Sequence, residues 1–467
     1  MDLTQLKSRR VHFIGLGGAG MSGIARIMIS LGIEVSGSDA KESAVLTGLE
    51  TLGARICVGH DAGNLKDADL LVVSSAINHL NPELVAAKSA GLEILSRAQA
   101  LALLMSESKS VAVAGTHGKT TTTSMLTVAL QRAGLDPSFA IGGMINRAGT
   151  NAHLGSGDIF VAEADESDGS FLEYRPLGAI ITNLELDHVD HFPDLQAVSD
   201  LFLEFIKSIK TGGFLVAGID SPGVVDLLKR VSELNRPDIK VLTYGNQMSN
   251  SDFTLSHISL NAKGGHARVA RLGKVLGELT LTIPGEHNLF NATAALIAGI
   301  ELGANSNDLL AGLESFSGAR RRFETRGVVN GISVIDDYGH HPTEVRVTLE
   351  TARRFAGSGR VIVIFQPHRY SRTQIFAEDF AKALSLADQV YLLEVYAASE
   401  QPIPGVSSLL ISRNMSPEKA KYEPSMLQIV EDIASDVSKG DVIITLGAGD
   451  VNSLAPVLLE MLEERFA

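Results

Sequence analysis

With 467 residues, 45% of them hydrophobic, the chain is too long for one core and carries enough apolar material for about three domains. Its 40 basic and 54 acidic residues give a formal charge of −14, the wrong sign for a protein whose main partner is a nucleic-acid backbone. A single cysteine excludes an internal disulfide and a thiolate metal cage, and no stretch approaches the roughly eighteen apolar residues of a membrane span, so a soluble, cytoplasmic protein is expected.

In residues 1–107, short apolar strands ("VHFIG", "EVSGS", "DLLVVSSA") alternate with helical stretches ("MSGIARIMISLG", "PELVAAKSAG"). The alternation predicts a parallel sheet covered by helices. Between the first strand and helix, "GLGGAG" at Gly15–Gly20 fits G-x-G-x-x-G, and Asp39 stands at the end of the second strand. That spacing is the fingerprint of a nicotinamide or flavin site. Its physics is broader: glycines let the backbone approach a pyrophosphate while the acid bonds a sugar hydroxyl or base edge. Any nucleoside diphosphate satisfies it.

Residues 108–318 open with "VAVAGTHGKTTTTSML", Val111–Leu126, which reads as a strand, a small-residue turn and a helix. Backbone N–H groups and a helix N-terminus then converge on one point where an anion is stabilised. Lys119 adds a full charge and Thr120 a hydroxyl for magnesium. Val113 stands where the usual phosphate loop has its first glycine. An NAD-dependent oxidoreductase would leave this second loop unexplained, whereas an enzyme using ATP on a nucleotide-activated molecule needs both.

Further along, Glu163 ends the strand of "VAEADESDGSF" and His188 follows that of "IITNLELDHVDHF". At strand ends a carboxylate and an imidazole can share the magnesium that bridges ATP phosphates. The neighbouring Asp165, Glu166, Asp168, Asp187 and Asp190 read as solvated loop charges, and the His188/His191 spacing lacks the further ligands zinc needs. In "PGEHNLFNATAAL", Asn288 and Asn291 lie on one helix face. One is a candidate cap; together they are candidates for holding adenine or phosphate. "GARRRFE" gathers Arg320, Arg321 and Arg322, either a solvated joint or a source of a guanidinium for the γ-phosphate.

Residues 319–467 alternate again: "ISVIDD", "PTEVRVTLETARRF", "VIVIFQP", "DQVYLLEV" and "DVIITLGAG". Asp336 and Asp337 fall at a strand end, with Tyr338, His340 and His341 in the loop that follows. "DDYG" fits a GTPase D-x-x-G, but no N-K-x-D follows. Arg369 and Arg372 in "QPHRYSRT" suit a carboxylate.

Taken together, "GTHGKTTT", "EADESD", "TNLELDHVD", "HNLFNATAA", "RRFE", "DDYGHHPTEV" and "QPHRYSRT" resemble, in order, the motifs of the Mur ligases, ATP-dependent amide-forming enzymes of peptidoglycan synthesis. The shorter G-T-x-G-K-T-T loop of that family accounts for Val113. The resemblance implies an α/β chain of three domains: Rossmann-like and UDP-binding over 1–107, P-loop ATPase-like over 108–318, Rossmann-like over 319–467. Its first loop, "GLGGAGMSGIA", is similar to the branch that joins L-alanine to UDP-N-acetylmuramate, with murein tripeptide recycling as the alternative.

The resemblance further implies that ATP is held by Gly115, Thr116, His117, Gly118, Lys119, Thr120 and Thr121 with Asn288, Asn291, Arg322 and Asp337, Arg321 competing with Arg322. Mg²⁺ would fall to Thr120, Glu163 and His188. Gly17, Gly18, Ala19, Gly20, Asp39, His60 and Ser75 would hold the UDP portion, and Tyr338, His340, Arg369 and Arg372 the alanine. Lys119, Glu163, His188, Arg322 and His340 are then the catalytic candidates, His340 as a proton acceptor for the amine. A monomer or homodimer without nucleic-acid or membrane partners is expected.

Overall fold

Apolar runs such as "VAVA", "GAII", "FLVAG", "VIVIF" and "VIITL" are buried along their whole length. Parallel strands covered on both faces read in this continuous way. The computed structural model describes residues 1–146, 149–167 and 169–467; Asp168, expected as a loop charge, lies outside the described residues. Three sheets carry the chain.

The first holds β1 (Arg10–Ile14), β2 (Glu34–Asp39), β3 (Arg55–Val58), β4 (Leu70–Val73) and β5 (Glu93–Ser96) in the order β3-β2-β1-β4-β5, all parallel. The second holds β6 (Lys109–Ala114), β7 (Ser138–Ala140), β8 (Ala152–His153), β9 (Ile159–Glu163), β10 (Gly178–Ile181), β11 (Phe214–Gly218), β12 (Lys240–Asn246), β13 (Phe253–Asn261), β14 (Gly264–Arg271) and β15 (Lys274–Leu281). Its order is β15-β14-β13-β12-β11-β10-β6-β9-β7-β8. β13 to β15 form an antiparallel meander at one edge, and the inner/outer alternation of β13 leaves one face towards water.

The third sheet comprises β16 (Glu324–Val329), β17 (Ile332–Asp337), β18 (Val361–Phe365), β19 (Gln389–Leu392), β20 (Ala420–Tyr422) and β21 (Val442–Leu446). The order is β16-β17-β21-β18-β19-β20, parallel except for β16. The last strand of the chain therefore sits in the middle, which brings the "GAGD" turn after β21 beside the ends of β17 and β18.

One apolar cluster runs from the first sheet into the second, through Met21, Ile24, Leu101, Ala152, Phe171 and Tyr174, so these two units share a core. The third sheet has its own layers on its two faces. It meets the rest of the molecule through polar groups at strand ends. Among the described residues, no helix is long and apolar enough to cross a membrane.

Candidate active site

The phosphate-loop candidate follows β6 directly. Gly115 and Gly118 have φ of 132° and 82°, where a side chain is strained. Space is also closed to them: a Cβ on Gly118 would lie 2.6 Å from Asn291 Oδ1, and one on Gly115 would strike the Thr182 hydroxyl. Val113 is fully buried inside β6, so the turn is short and needs no glycine there. The threonines of the following helix, Lys119–Arg132, are buried. Thr123, Ser124 and Thr127 pass their hydroxyl protons to carbonyls one turn back at 2.7–2.8 Å, which makes polar side chains tolerable in a core helix.

Lys119 Nζ donates to Glu166 Oε1 at 2.8 Å and to the carbonyls of Gly115 and Thr116 at 2.7 and 3.2 Å. Burial disfavours its charge, but Glu166 and Asp165 more than offset this and hold Lys119 as a cation. Glu166 is 2% exposed, so burial pushes its carboxyl up to about 7 against the pull of Lys119. It is not the solvated loop charge expected. Glu163 accepts from Thr120 Oγ1 at 3.0 Å and from Gly142 N at 2.7 Å. The Thr120–Glu163 pair is an all-oxygen donor set of the kind Mg²⁺ takes. His188, at φ 48°, falls instead in a group with Asp165 and Glu166, and its buried Nδ1 has no hydrogen-bond partner.

A cavity of about 160 Å³ adjoins the loop and brings together His117, Thr121, Asn288, Asn291, Arg322 and Asp337. Gly285 occupies the N-cap of the helix Glu286–Glu301, so neither asparagine is the cap. Asn288 Nδ2 donates to Pro284 O at 2.7 Å, and Asn291 faces Gly118. Asp337 accepts from Phe323 N and Gly339 N, both at 2.8 Å, and from Thr348 Oγ1 at 3.1 Å; burial lifts it to about 6.

Arg322 Nη2 approaches Thr120 Oγ1 at 3.5 Å across the gap between the second and third sheets. Arg321 turns away: its Nη2 donates to Gly447 O at 2.6 Å and its Nε lies 3.3 Å from Asp336. Arg320 is exposed at the rim of the same cleft. Tyr338, His340, Arg369 and Arg372 line that cleft with Lys119 and Glu163. Arg372 is buried and binds Asp187 Oδ1 through Nε and Nη2 at 2.9 and 2.7 Å; Arg369 pairs with Asp190. Asp187, 5% exposed, is thus another misread loop charge, held ionised by Arg372 despite its burial. Burial lowers His340 to about 4, and its Nδ1 lies 3.0 Å from Tyr338 O.

At the first sheet, Asp39 Oδ2 accepts from Gly17 N at 2.8 Å and so shapes the glycine loop. Gly18 is the N-cap of the helix that begins at Ala19. Ala19, Gly20 and Ser75 line a cleft of about 290 Å³ with Arg97 and Glu163. Glu163 therefore belongs both to this cleft and to the one containing Lys119. His60, beyond β3, stands apart from it, beside Ser38 at 3.1 Å.

Family models describe all three parts of the chain: the Mur ligase family catalytic domain over residues 10–109, the Mur ligase middle domain over 113–299 and the Mur ligase glutamate ligase domain over 321–449. The chain belongs to the Mur ligase family. It is 48% identical over 460 residues to a UDP-N-acetylmuramate–L-alanine ligase of Acidothermus cellulolyticus, covering 98% of this chain and 96% of the relative. Its fold matches the crystal structure of UDP-N-acetylmuramate–alanine ligase from Thermotoga maritima with a TM-score of 0.81, at 31% identity and with 98% and 100% of the two chains covered. A murein peptide ligase from Psychrobacter arcticus matches with a TM-score of 0.72 at 27% identity, covering 97% and 99%. The oxidoreductase reading of the first glycine loop gives way to this membership.

In this Mur ligase the phosphate loop touches the third sheet through a polar cluster that the sequence motifs contained but did not explain. His117 Nε2 lies 3.4 Å from Glu185 Oε2 and Nδ1 3.3 Å from Glu344 Oε1. Thr343 Oγ1 donates to Glu185 Oε2 at 2.6 Å, and His341 Nε2 reaches Leu186 O at 3.2 Å. His341 also caps the helix Pro342–Ala356 through Nδ1, so both its nitrogens are engaged in protein contacts. Burial opposes charge on His117, but the two carboxylates win and raise it to about 9.

A raised histidine stabilises the fold fully below its free value near 6.5 and loses that contribution as pH rises through the folded value. The melting temperature is therefore expected to fall between about pH 6.5 and pH 9. His117→Asn should flatten that part of the profile; a profile unchanged by the substitution would show that the contact carries no charge. Arg97, which no motif marked, also lines the first cleft. Its sequence signal was its position at the end of β5, where "SRAQ" starts a capped helix.

Proposed function

We propose that this chain joins L-alanine to the lactyl carboxylate of UDP-N-acetylmuramate, consuming ATP and releasing ADP and phosphate, in peptidoglycan synthesis. The observation that carries it is Glu163, shared between the glycine-loop cleft and the Lys119 cleft. A carboxylate delivered along the first cleft arrives at the phosphate end of the second. In this reading residues 1–107 take the UDP portion, residues 108–318 take ATP, and residues 319–467 bring the amino acid and complete the nucleotide site.

A carboxylate is a poor acyl donor, so it first attacks the γ-phosphate, giving an acyl phosphate and ADP; the alanine amine then displaces phosphate through a tetrahedral intermediate. Lys119 and Arg322 neutralise charge on the phosphoryl oxygens, and the loop N–H groups orient them. Thr120 and Glu163, with His188 nearby, would hold Mg²⁺, which supplies charge neutralisation between the phosphates. Asn288, Asn291 and Asp337 form the adenosine side. Arg369 and Arg372, each now paired with an aspartate from the second sheet, exchange that partner for the alanine carboxylate. His340, kept neutral at physiological pH by its burial, has Nδ1–H held by Tyr338 O, which leaves Nε2 as the nitrogen to take the amine proton. Closure of the cleft on its bound ligands keeps out water that would hydrolyse the acyl phosphate.

Arg97 fits the same scheme. It lies across Gly20, where a Cβ would come within 3.0 Å of its Cδ, and no protein acid pairs with it among the described residues. It also stands in the first turn of a helix, an unfavourable place for a cation. An anionic substrate group offsets that cost. Arg97→Ala is expected to raise KM for UDP-N-acetylmuramate about tenfold with KM for ATP unchanged. Equal effects on both would remove Arg97 from the UDP side.

The direct test combines the protein with ATP, magnesium, UDP-N-acetylmuramate and single amino acids. Phosphate release should require the nucleotide sugar and L-alanine together. Release that responds to a murein tripeptide and not to alanine would assign the chain to the recycling branch.

A further inference from the structure

Glu83 has no exposed surface and no part in the reaction above. Ser38 Oγ donates to its Oε2 at 2.5 Å; Asn64 Nδ2 and Asp61 N donate to Oε1 at 2.5 and 3.3 Å. His12 Nε2 and His60 Nδ1 face Oε2 at 3.7 and 3.5 Å. Burial alone would raise this carboxyl, but the neighbouring His12 imidazole and hydrogen bonds from Ser38 and Asn64 bring it down to about 2. Glu83 is therefore an anion, and an anion of this kind only accepts hydrogen bonds.

That fixes the protons around it. The single Ser38 proton goes to Glu83, so the Ser38 oxygen, 3.1 Å from His60 Nδ1, serves the histidine as an acceptor. The other neighbour of Nδ1, Glu83 Oε2, is an acceptor too. Both place the ring proton on Nδ1 and leave a lone pair on Nε2 whenever the imidazole is neutral. His60 remains partly exposed, at 21%. It follows Gly59, whose N–H is held by Asp39 O at 2.8 Å. Since β3 lies outside β2 and Val58 at its end pairs with Asp39, His60 stands one strand beyond Asp39 at the carboxyl end of the sheet, the end where open α/β sheets take their ligands.

We infer that Glu83 is a positioning residue which, through Ser38, fixes His60 as a hydrogen-bond acceptor for the nucleobase, so that the site selects uracil over cytosine. Uracil N3 carries a proton that Nε2 can accept. Cytosine N3 carries a lone pair instead, and the two lone pairs face each other unsatisfied. The inference rests on the nucleotide-sugar reading of the first cleft, and it adds to that reading the means by which the base is chosen.

Nitrogen-15 spectra of His60 at about pH 8.5, well above the ordinary histidine value, read the tautomer directly. Calorimetric titrations with UDP and CDP of the full-length protein, Glu83→Gln and His60→Gln read the selection. The expected results are an Nδ1–H tautomer and a UDP preference of about tenfold or more. In Glu83→Gln the new amide donates to Ser38, the Ser38 proton turns to His60, and the ring proton moves to Nε2; the UDP:CDP ratio should fall about tenfold. His60→Gln, at a partly exposed position that leaves the core intact, should lose the preference because its amide offers donor and acceptor alike.

An Nε2–H tautomer in the unmodified protein, or a ratio unmoved in both variants, overturns the inference. A purely structural Glu83 would lower melting temperature and both affinities together without moving the ratio, which also overturns it. Absence of UDP binding defeats the nucleotide-sugar reading itself. UDP and CDP bound equally by an Nδ1–H protein defeats only the selection of the base.

Discussion

Replacing Lys119 by alanine is expected to lower kcat by about 10³-fold or more while the affinity for UDP-N-acetylmuramate stays within about twofold. Lys119 Nζ sits at the mouth of the phosphate loop, and the glycine loop belongs to another sheet. The substitution has a second consequence. Glu166 would lose its 2.8 Å partner while remaining buried, and breaking such a pair costs about 3–5 kcal/mol. Protonation of Glu166, already lifted to about 7, limits that cost, so melting should fall less at acidic than at alkaline pH. Calorimetry with the nucleotide sugar separates lost chemistry from lost folding. Loss of that binding in a variant that still melts cooperatively would show that the two nucleotide sites are not independent.

The elements around these sites follow from local pattern. Continuous apolar runs are covered parallel strands, and a strand followed by glycines and a helix is a phosphate loop because few other arrangements satisfy those backbone groups. Glu166 and Asp187 defeated the same reasoning. Each lies in a polar loop that looks solvated, and each is buried by a partner far along the chain, Lys119 47 residues away and Arg372 185 residues away. The first burial is decided by which strands lie side by side, β6 and β9, and the second by how two sheets meet. Asn288 shows a smaller version: the polar residue looks like a cap until Gly285, with φ 103°, takes the position. Glu83 is a first-turn acid after a proline, a position that is ordinarily solvated, and its burial depends on Ser38 of β2 and on Asp61 and Asn64 beyond β3, which close over it.

Arg322→Ala is expected to cut kcat by about 10³-fold, and Arg321→Ala to act mainly on stability, with kcat reduced by about tenfold or less. The pair is adjacent in sequence and chemically identical, so only geometry separates them. Arg321, at φ 58°, is fastened to its own sheet by Gly447 O, Gly449 O and Asp336, and its guanidinium lies 4.8 Å over the Tyr338 ring. Removing it leaves Asp336, 1% exposed, without its cation, which is a folding penalty. Arg322 has weaker ties, 3.9 Å to Glu344, 5.3 Å to the Tyr338 ring and 3.5 Å to Thr120 Oγ1, and the last of them crosses to the phosphate loop. A guanidinium with loose partners and a threonine of the loop in reach is free to take a phosphoryl oxygen. Arg322→Lys should recover part of the rate, since charge is kept while the planar fork is lost. If Arg321→Ala instead loses the larger share of kcat at unchanged melting temperature, Arg321 must swing from its carbonyls to the phosphate, and the resting arrangement of this joint is not the working one.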